Sequence, residues 1–275
     1  MSMKFFSPRI FILTLWLVLS GQIMVQGQPA VYLDNWFNHE THAKTGKIYH
    51  YTWDDTLDSG FSQLGALFTE QGARLVTLDQ SPAGRILRRA AIYIIVDPDT
   101  TRENPSPHYV TGDDIQAVKR WVRRGGVLLL MANDGPNAEF THFNRLAGAF
   151  GCTFHSQTLN PVTGRNWEMG AETHLPDHPL FAGVHKIYMK EVAPISLSKQ
   201  ARPVLKNEDG AVFIAETAFG KGYVLAVGDP WLYNEYIDHS RLTPDFENGK
   251  AAANLVRLIL SKASENQKDR RAEGK

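Results

Sequence analysis

Four apolar runs along this chain end in acidic or amide residues, and that recurrence organises the rest of the sequence. Val31-Tyr-Leu33 runs into Asp34-Asn35-Trp36, and Ile92-Tyr-Ile-Ile-Val96 into Asp97-Pro98-Asp99. Val127-Leu-Leu-Leu-Met131 runs into Ala132-Asn133-Asp134, and Gly222-Tyr-Val-Leu-Ala-Val227 into Gly228-Asp229-Pro230-Trp231-Leu-Tyr-Asn-Glu235-Tyr236. Ile92–Val96 is the continuous apolar run, rich in β-branched residues, expected of a strand buried on both faces. Arg74–Leu78 reads as a further strand.

Between these runs the apolar positions switch to helical spacing. Phe61, Leu64, Leu67 and Phe68 share one face and Gly72 ends the pattern. Thr111-Gly-Asp-Asp114 is a capping box; Ile115, Val118, Trp121 and Val122 follow as a buried stripe. Arg123 and Arg124 then favour the negative end of the helix dipole, and Gly125 supplies the stop. Phe140, Phe143 and Leu146 predict another helix, and Asn248–Leu260 a closing one. Strand and helix alternate, so the expected fold is α/β: a doubly wound, mostly parallel sheet with helices on both faces. Ala211–Glu216 and Tyr223–Val227, joined by a Gly-containing turn, predict an antiparallel hairpin extension. Ile187–Leu197 also looks like a strand.

Composition narrows the class. The chain has 275 residues, 43% of them hydrophobic, and a formal net charge of zero. It can bury a substantial core, and no basic stripe with interleaved aromatics points to nucleic acid. Lys4 and Arg9 precede the apolar Ile10–Leu19 run, with Val25-Gln26-Gly27 as a cleavage site. Residues 1–27 therefore read as a signal peptide, too short in its apolar part to span a bilayer. The expectation is a periplasmic or secreted protein with no membrane contact after signal removal. Residues 28–261 form one domain. The charged segment 262–275 lacks large apolar residues and is expected to be disordered. The lone Cys152, just after Gly151, is read as a buried small apolar residue with no disulfide partner.

Motifs for common chemistries are absent. Nothing matches a phosphate-binding glycine loop or a GxSxG elbow, and His39-Glu-Thr-His42 lacks the spacing of a zinc-protease helix. Asp54–Gly60 resembles a calcium loop, but its glycine falls one place late and Gly65 stands at the twelfth position. An EF-hand is rejected; a single calcium at this loop stays open. No cofactor and no metal centre are expected.

The carboxylates remain. Parallel strands place their C-terminal ends on one edge, where ligands of open α/β sheets bind. Asp34, Trp36, Trp53, Asp54, Asp97, Asn133, Glu139, Asp229, Trp231 and Glu235 are therefore expected to converge on one concave site. Carboxylates, amides and indoles together suit a polyhydroxylated ligand. If the site is catalytic, Asp97, Asp134, Glu139, Asp229 and Glu235 are the candidates, since glycoside cleavage uses paired carboxylates at defined separation. Against this stands the ordinary tendency of Asp and Asn to form turns after strands.

Several segments carry a resemblance. Tyr32–Asn38, Tyr49–Asp55, Ser59–Ser62, Tyr93–Thr100, Ala132–Asp134 with Ala138–Phe140, and Gly228–Tyr236 closely resemble the accessory domain that follows the catalytic barrel in many bacterial unsaturated rhamnogalacturonyl hydrolases. The likeness spans roughly residues 30–261. It implies a flavodoxin-like fold of the class I glutamine amidotransferase type without its cysteine. The nucleophile position, after Val127–Met131, falls around Asn133-Asp134-Gly135, which offers neither thiol nor hydroxyl. The hydrolytic barrel is not part of this sequence, so its activity does not carry over. What the resemblance implies is an exported protein of pectin or rhamnogalacturonan utilisation. Its expected partners are a uronic-acid-containing oligosaccharide or polysaccharide and a glycan-degrading enzyme. Two readings follow: a non-catalytic glycan-binding or enzyme-accessory domain, or a carboxylate-dependent hydrolase or lyase. A third, blander one is an exported scaffold without a small ligand.

Overall fold

A computed structural model describes residues 27–42, 44–238 and 240–272. The expected signal peptide therefore lies almost wholly outside the described residues. The centre is a seven-stranded sheet. Its parallel part comprises β1 (Ala30–Asp34), β2 (Arg74–Leu78), β3 (Ile92–Val96), β4 (Val127–Met131) and a strand near the C-terminal end of the domain, Gly222–Val227. Between β4 and that strand come β5 (Cys152–Phe154), β6 (Ala171–Glu172), β7 (Ile187–Tyr188), β8 (Ile195–Leu197), β9 (Arg202–Lys206) and β10 (Val212–Phe219), which makes Gly222–Val227 β11. The order across the sheet is β2-β1-β3-β4-β11-β10-β9. β10 pairs antiparallel with β11 and with β9, so the expected hairpin is present and gains one more strand.

Alternation along the strands assigns each side chain to a face. Val31, Leu33, Ile92, Ile94, Val96, Leu129 and Leu225 pack against α1 (Ser62–Glu70) and α4 (Asn248–Ala272) through Leu64, Phe68, Ala252 and Leu255. Tyr32, Tyr93, Ile95, Leu128, Leu130 and Val224 pack against α2 (Gly112–Arg123) and α3 (Phe140–Ala149) through Val118, Trp121, Phe143 and Leu146. Each fully buried Leu, Ile or Phe side chain in these layers contributes about 1.5–3 kcal/mol. The α2 capping box forms as its sequence predicts: Thr111 Oγ1 accepts from the Asp114 N–H, and the Asp114 carboxylate accepts from the Thr111 N–H at 2.9 Å. Gly125 turns the chain out of the helix with φ 99°.

Two expectations change. Ile187–Leu197 is not one strand: β7 pairs with β6 and β8 with β5, in separate two-stranded sheets. Glu191, at φ 53°, breaks the extended run between them, and Pro194 has no N–H to offer a ladder. The tail beyond Ser261 is not disordered as far as Ala272, because α4 continues through it. Its residues are polar but good helix formers, supported by the Lys262–Glu265 pair at 3.5 Å. Buried Ala263 and the bond from Asn266 Nδ2 to Gly125 O (3.2 Å) dock this last part onto the domain.

Candidate functional site

A cleft of about 580 Å³ opens at the carboxyl edge of the sheet. The segment between β1 and α1 contributes Glu40, His50, Tyr51, Leu57, Asp58 and Ser59 to its wall. Asp97 and Glu103 come from after β3, Asn133 and Asn137 from after β4, Trp231 from after β11, and Arg241 from the following loop. Arg241 ties two of these segments together, donating to Asp58 Oδ1 at 3.1 Å and to Thr56 O at 2.9 Å.

The backbone at this cleft is unusual. His50, Tyr51 and Asp97 have φ of 59°, 42° and 44°, in the left-handed region that L side chains avoid. Such residues cost about 1–3 kcal/mol each and persist where neighbours over-determine them. Here Tyr51 N donates to Ser59 O at 2.9 Å, and His50 N to Asp55 Oδ2 at 3.1 Å. Asp97 N donates to Met131 O at 3.0 Å, and Asp97 O accepts from Asn38 Nδ2 at 3.1 Å. Strained residues cluster at ligand sites, which makes their coincidence with one cleft informative.

Asp97 is the electrostatic centre. Its Oδ2 accepts from Asn133 Nδ2 at 3.0 Å, while Oδ1 is buried with no partner among the described residues. Burial pushes its pKa well above the ordinary carboxylate value. The negative charges of Glu103, Glu40 and Asp99 add to this, against the Asn133 bond. The shift favours the protonated carboxyl, the form that has an O–H to donate. Glu103 and Asp134 are also raised by burial, and Asp99 reaches about 6 for the same reason. Beside Asp97, His50 Nδ1 lies 3.0 Å from Glu40 Oε1, and Asn133 Nδ2 lies 3.5 Å from the Tyr51 hydroxyl. Asn137 is held by its bond to Asp134 Oδ1 at 2.7 Å.

Of the ten residues expected to converge, Asp97, Asn133 and Trp231 line the cleft. The others are deployed differently. Asp34 turns inward: it accepts from Phe37 N at 2.7 Å, from Trp36 N and from the Tyr93 hydroxyl, and burial raises its pKa to about 7. Asp229, fully buried, accepts from Trp231 N and Lys190 N, both at 2.7 Å, and burial lifts it to about 8. Gly228 precedes it where an added Cβ would collide with Ala193 O, so the chain reaches this turn only through a glycine.

Glu139 caps α3, accepting from the N–H groups of His142 and Phe143. Glu235 accepts from Ser62 Oγ at 2.7 Å and Gln63 N at 3.1 Å at the start of α1. Trp36 stacks on His108 with ring centroids 3.5 Å apart. Trp53 packs edge-on to Phe68 and donates to Val76 O, and Asp54 is exposed, accepting from Thr52 Oγ1 at 2.8 Å. The edge is as topology requires, but seven of the ten side chains serve turns, caps or packing.

Glu40, His50, Tyr51, Asp58, Ser59, Glu103, Asn137 and Arg241 were not among the expected site residues. Most lie on loops with no strand immediately before them, so adjacency to a strand end could not find them. The dense polar and aromatic insert after β1 was the available signal. Among the described residues, no group of three or more His, Cys, Asp or Glu side chains is placed to hold a metal ion.

The fold has relatives among solved structures, all at low identity. The N-terminal domain of mmIFT52 aligns with TM-score 0.63 and 13% identity, over 84% of this chain and 97% of that one. A cytoplasmic protein from Salmonella typhimurium LT2 aligns with TM-score 0.53 and 13% identity, over 84% and 99%. These are likenesses of fold. No curated protein matches the sequence. Residues 54–241, more than half of the chain and including most of the cleft, match the family described as a domain of unknown function, DUF4350; the chain belongs to that family.

Proposed function

We propose that the carboxyl-edge cleft binds carbohydrate, and that the chain is a non-catalytic, glycan-associated domain exported by a bacterium that uses pectin- or rhamnogalacturonan-type polysaccharides. The observation that carries this reading is the unpartnered Asp97 oxygen among convergent hydroxyl-binding groups, beside the ring of Trp231. Asp97, Glu103, Asn133 and Asn137 supply donors and acceptors for sugar hydroxyls. The Trp231 indole, held by Lys190 Nζ at 3.8 Å and by the edge of Tyr236, supplies an aromatic wall. Export rests on the tripartite pattern of residues 1–27, and is tested by N-terminal sequencing of secreted protein for a start at Gln28.

The resemblance to accessory domains of rhamnogalacturonyl hydrolases belongs to the same proposal, as does the flavodoxin-like, class I glutamine amidotransferase reading of the fold. In support of the latter, the five parallel strands take the order second, first, third, fourth, fifth, which is the flavodoxin-like order. A glycan-degrading enzyme is the partner such a domain would accompany. The four acids of the cleft, Glu40, Asp58, Asp97 and Glu103, favour the neutral, hydroxyl-rich part of a glycan over its carboxylates.

A second reading is a hydrolase or lyase in which Asp97 is the general acid and Glu40 or Glu103 its carboxylate partner. It is favoured by the raised pKa of Asp97, its free oxygen and its strained backbone. One experiment addresses both: calorimetric titration with neutral and pectic oligosaccharides, followed by product analysis. Trp231→Ala is expected to weaken binding about tenfold with the fold intact. If Trp231→Ala and Asp97→Ala both bind as wild type, the site lies elsewhere. New products that vanish in Asp97→Asn would replace the binding reading with the catalytic one.

A further inference from the structure

A second groove of about 850 Å³, larger than the cleft and of opposite character, lies between α2 and the turn that faces it. One wall is the turn from Pro82 to Arg88, which leads into β3; the other is the last turns of α2, which lead into β4. The groove therefore runs along α2 towards the amino ends of β3 and β4. Arg85 and Arg88 line it from one side, Arg120 and Arg124 from the other, with no acidic residue in the lining. We propose that this groove binds a linear polycarboxylate, a polymer of uronate units, through arginine–carboxylate forks.

The walls are fixed before any ligand arrives. The Ser81 hydroxyl donates to the Asp114 carboxylate, which is itself locked in the α2 capping box. Trp121 Nε1 donates to Ala90 O at 3.2 Å, fastening α2 to the end of the facing turn. Arg85, Arg88 and Arg120 are exposed and form no ion pair among the described residues. Helix-dipole stabilisation accounts for cations in the last turn of α2. It does not account for Arg85 and Arg88, which come from a different segment with only a four-residue 3-10 turn.

In a chain with no net charge, this clustering produces a local positive field that net charge conceals. The lining is arginine with no lysine, and planar guanidinium forks match carboxylates bidentately. Trp121 also lines the groove but is only 8% exposed, so it offers little ring face on which a nucleic-acid base could stack. The choice of uronate over other polyanions rests on the glycan reading above. It also resolves a tension in that reading, since the acidic cleft suits neutral sugar whereas the arginine groove suits the carboxylates of the same polymer.

The test measures binding of polygalacturonate, dextran and duplex DNA to the purified protein at two salt concentrations. Wild type is expected to bind polygalacturonate in a salt-sensitive way and dextran not at all through this groove. Arg85→Gln, Arg88→Gln and Arg120→Gln should each weaken polygalacturonate binding about threefold, and the triple variant tenfold or more, with fold verified by circular dichroism. Trp231→Ala is expected to weaken neutral-oligosaccharide binding about tenfold, which reports on the cleft separately from the groove. A triple variant that binds polygalacturonate as wild type overturns the groove, as does tighter binding of DNA at equal charge concentration. Loss of the groove result alone leaves the cleft reading standing, because only Trp231→Ala reports on the cleft.

Discussion

Asn133 Nδ2 donates to Asp97 Oδ2 at 3.0 Å, and the second oxygen of the same carboxyl group has no partner among the described residues. The pair joins the ends of two adjacent strands across the floor of the cleft. Burial biases Asp97 towards its uncharged form, and Asn matches that form in shape while keeping an oxygen to accept from Asn133. Asp97→Asn is therefore expected to alter stability at pH 7 by less than about 1 kcal/mol in urea unfolding. Asn133→Asp should instead place a second carboxyl group beside the first and destabilise the fold increasingly as pH rises. A loss of several kcal/mol in Asp97→Asn would mean that Asp97 is ionised.

Buried acids also set the pH dependence of stability. Burial holds Asp34 at about 7, Asp99 at about 6 and Asp229 at about 8, all from an ordinary 3.8. Above about pH 4 the unfolded chain releases these protons while the folded protein keeps them, so stability falls as pH rises towards 8. Glu216 acts in the opposite sense. Hydrogen bonds from His178, Tyr223 and Arg202 lower it from 4.5 to about 2, so its contribution is present above 4.5 and lost as pH falls towards 2. The urea midpoint is expected to peak at mildly acidic pH and decline towards pH 8. A midpoint that rises steadily from pH 5 to 8 would contradict the burial of these groups.

Glu235 links the loop after β11 to the first helix. Glu235→Ala strips the acceptor from Ser62 Oγ and Gln63 N and is expected to cost about 1–2 kcal/mol, the usual scale for losing a helix cap. Glu235→Gln keeps an acceptor oxygen and should recover most of that loss. Equal damage from both substitutions would show that charge, rather than the cap, matters at this position.

Cys152 sits on β5 in the layer beneath α2 and α3, and burial pushes its thiol up to about 11. A protonated, buried thiol is a poor nucleophile. The native protein should resist maleimide at pH 7 and react only when unfolded. Cys152→Ala should bind oligosaccharide as wild type does. Rapid labelling of native protein, or a folded Cys152→Ala variant without ligand binding, would revive a thiol role.

Periodicity made much of the fold legible. The continuous run Ile92–Val96, the α2 stripe with its capping box and the β10–β11 hairpin are local patterns whose meaning does not depend on distant residues. Strand β9 was missed because Arg202-Pro-Val-Leu-Lys206 is a short, mixed segment whose place is set by pairing with β10. The end of α4 was missed because its charged residues are equally compatible with disorder until Ala263 and Asn266 find the domain surface.

The candidate site divides along the same line. By itself the sequence determined that four strand ends share one edge and that this edge is rich in carboxylates, because parallel pairing and strand direction follow from the order of the elements. Only the tertiary structure decided which carboxylates face the cleft. Asp34 and Asp97 both follow buried strands, yet Asp34 turns inward to Tyr93 and the next turn, whereas the left-handed backbone of Asp97 leaves one oxygen free. Asp229 is claimed by Lys190 N and Glu235 by Ser62, partners 39 and 173 residues away. A carboxylate directly after a strand can satisfy backbone donors or face a ligand. Which it does depends on donors that chain folding delivers from elsewhere, and no local spacing encodes their arrival.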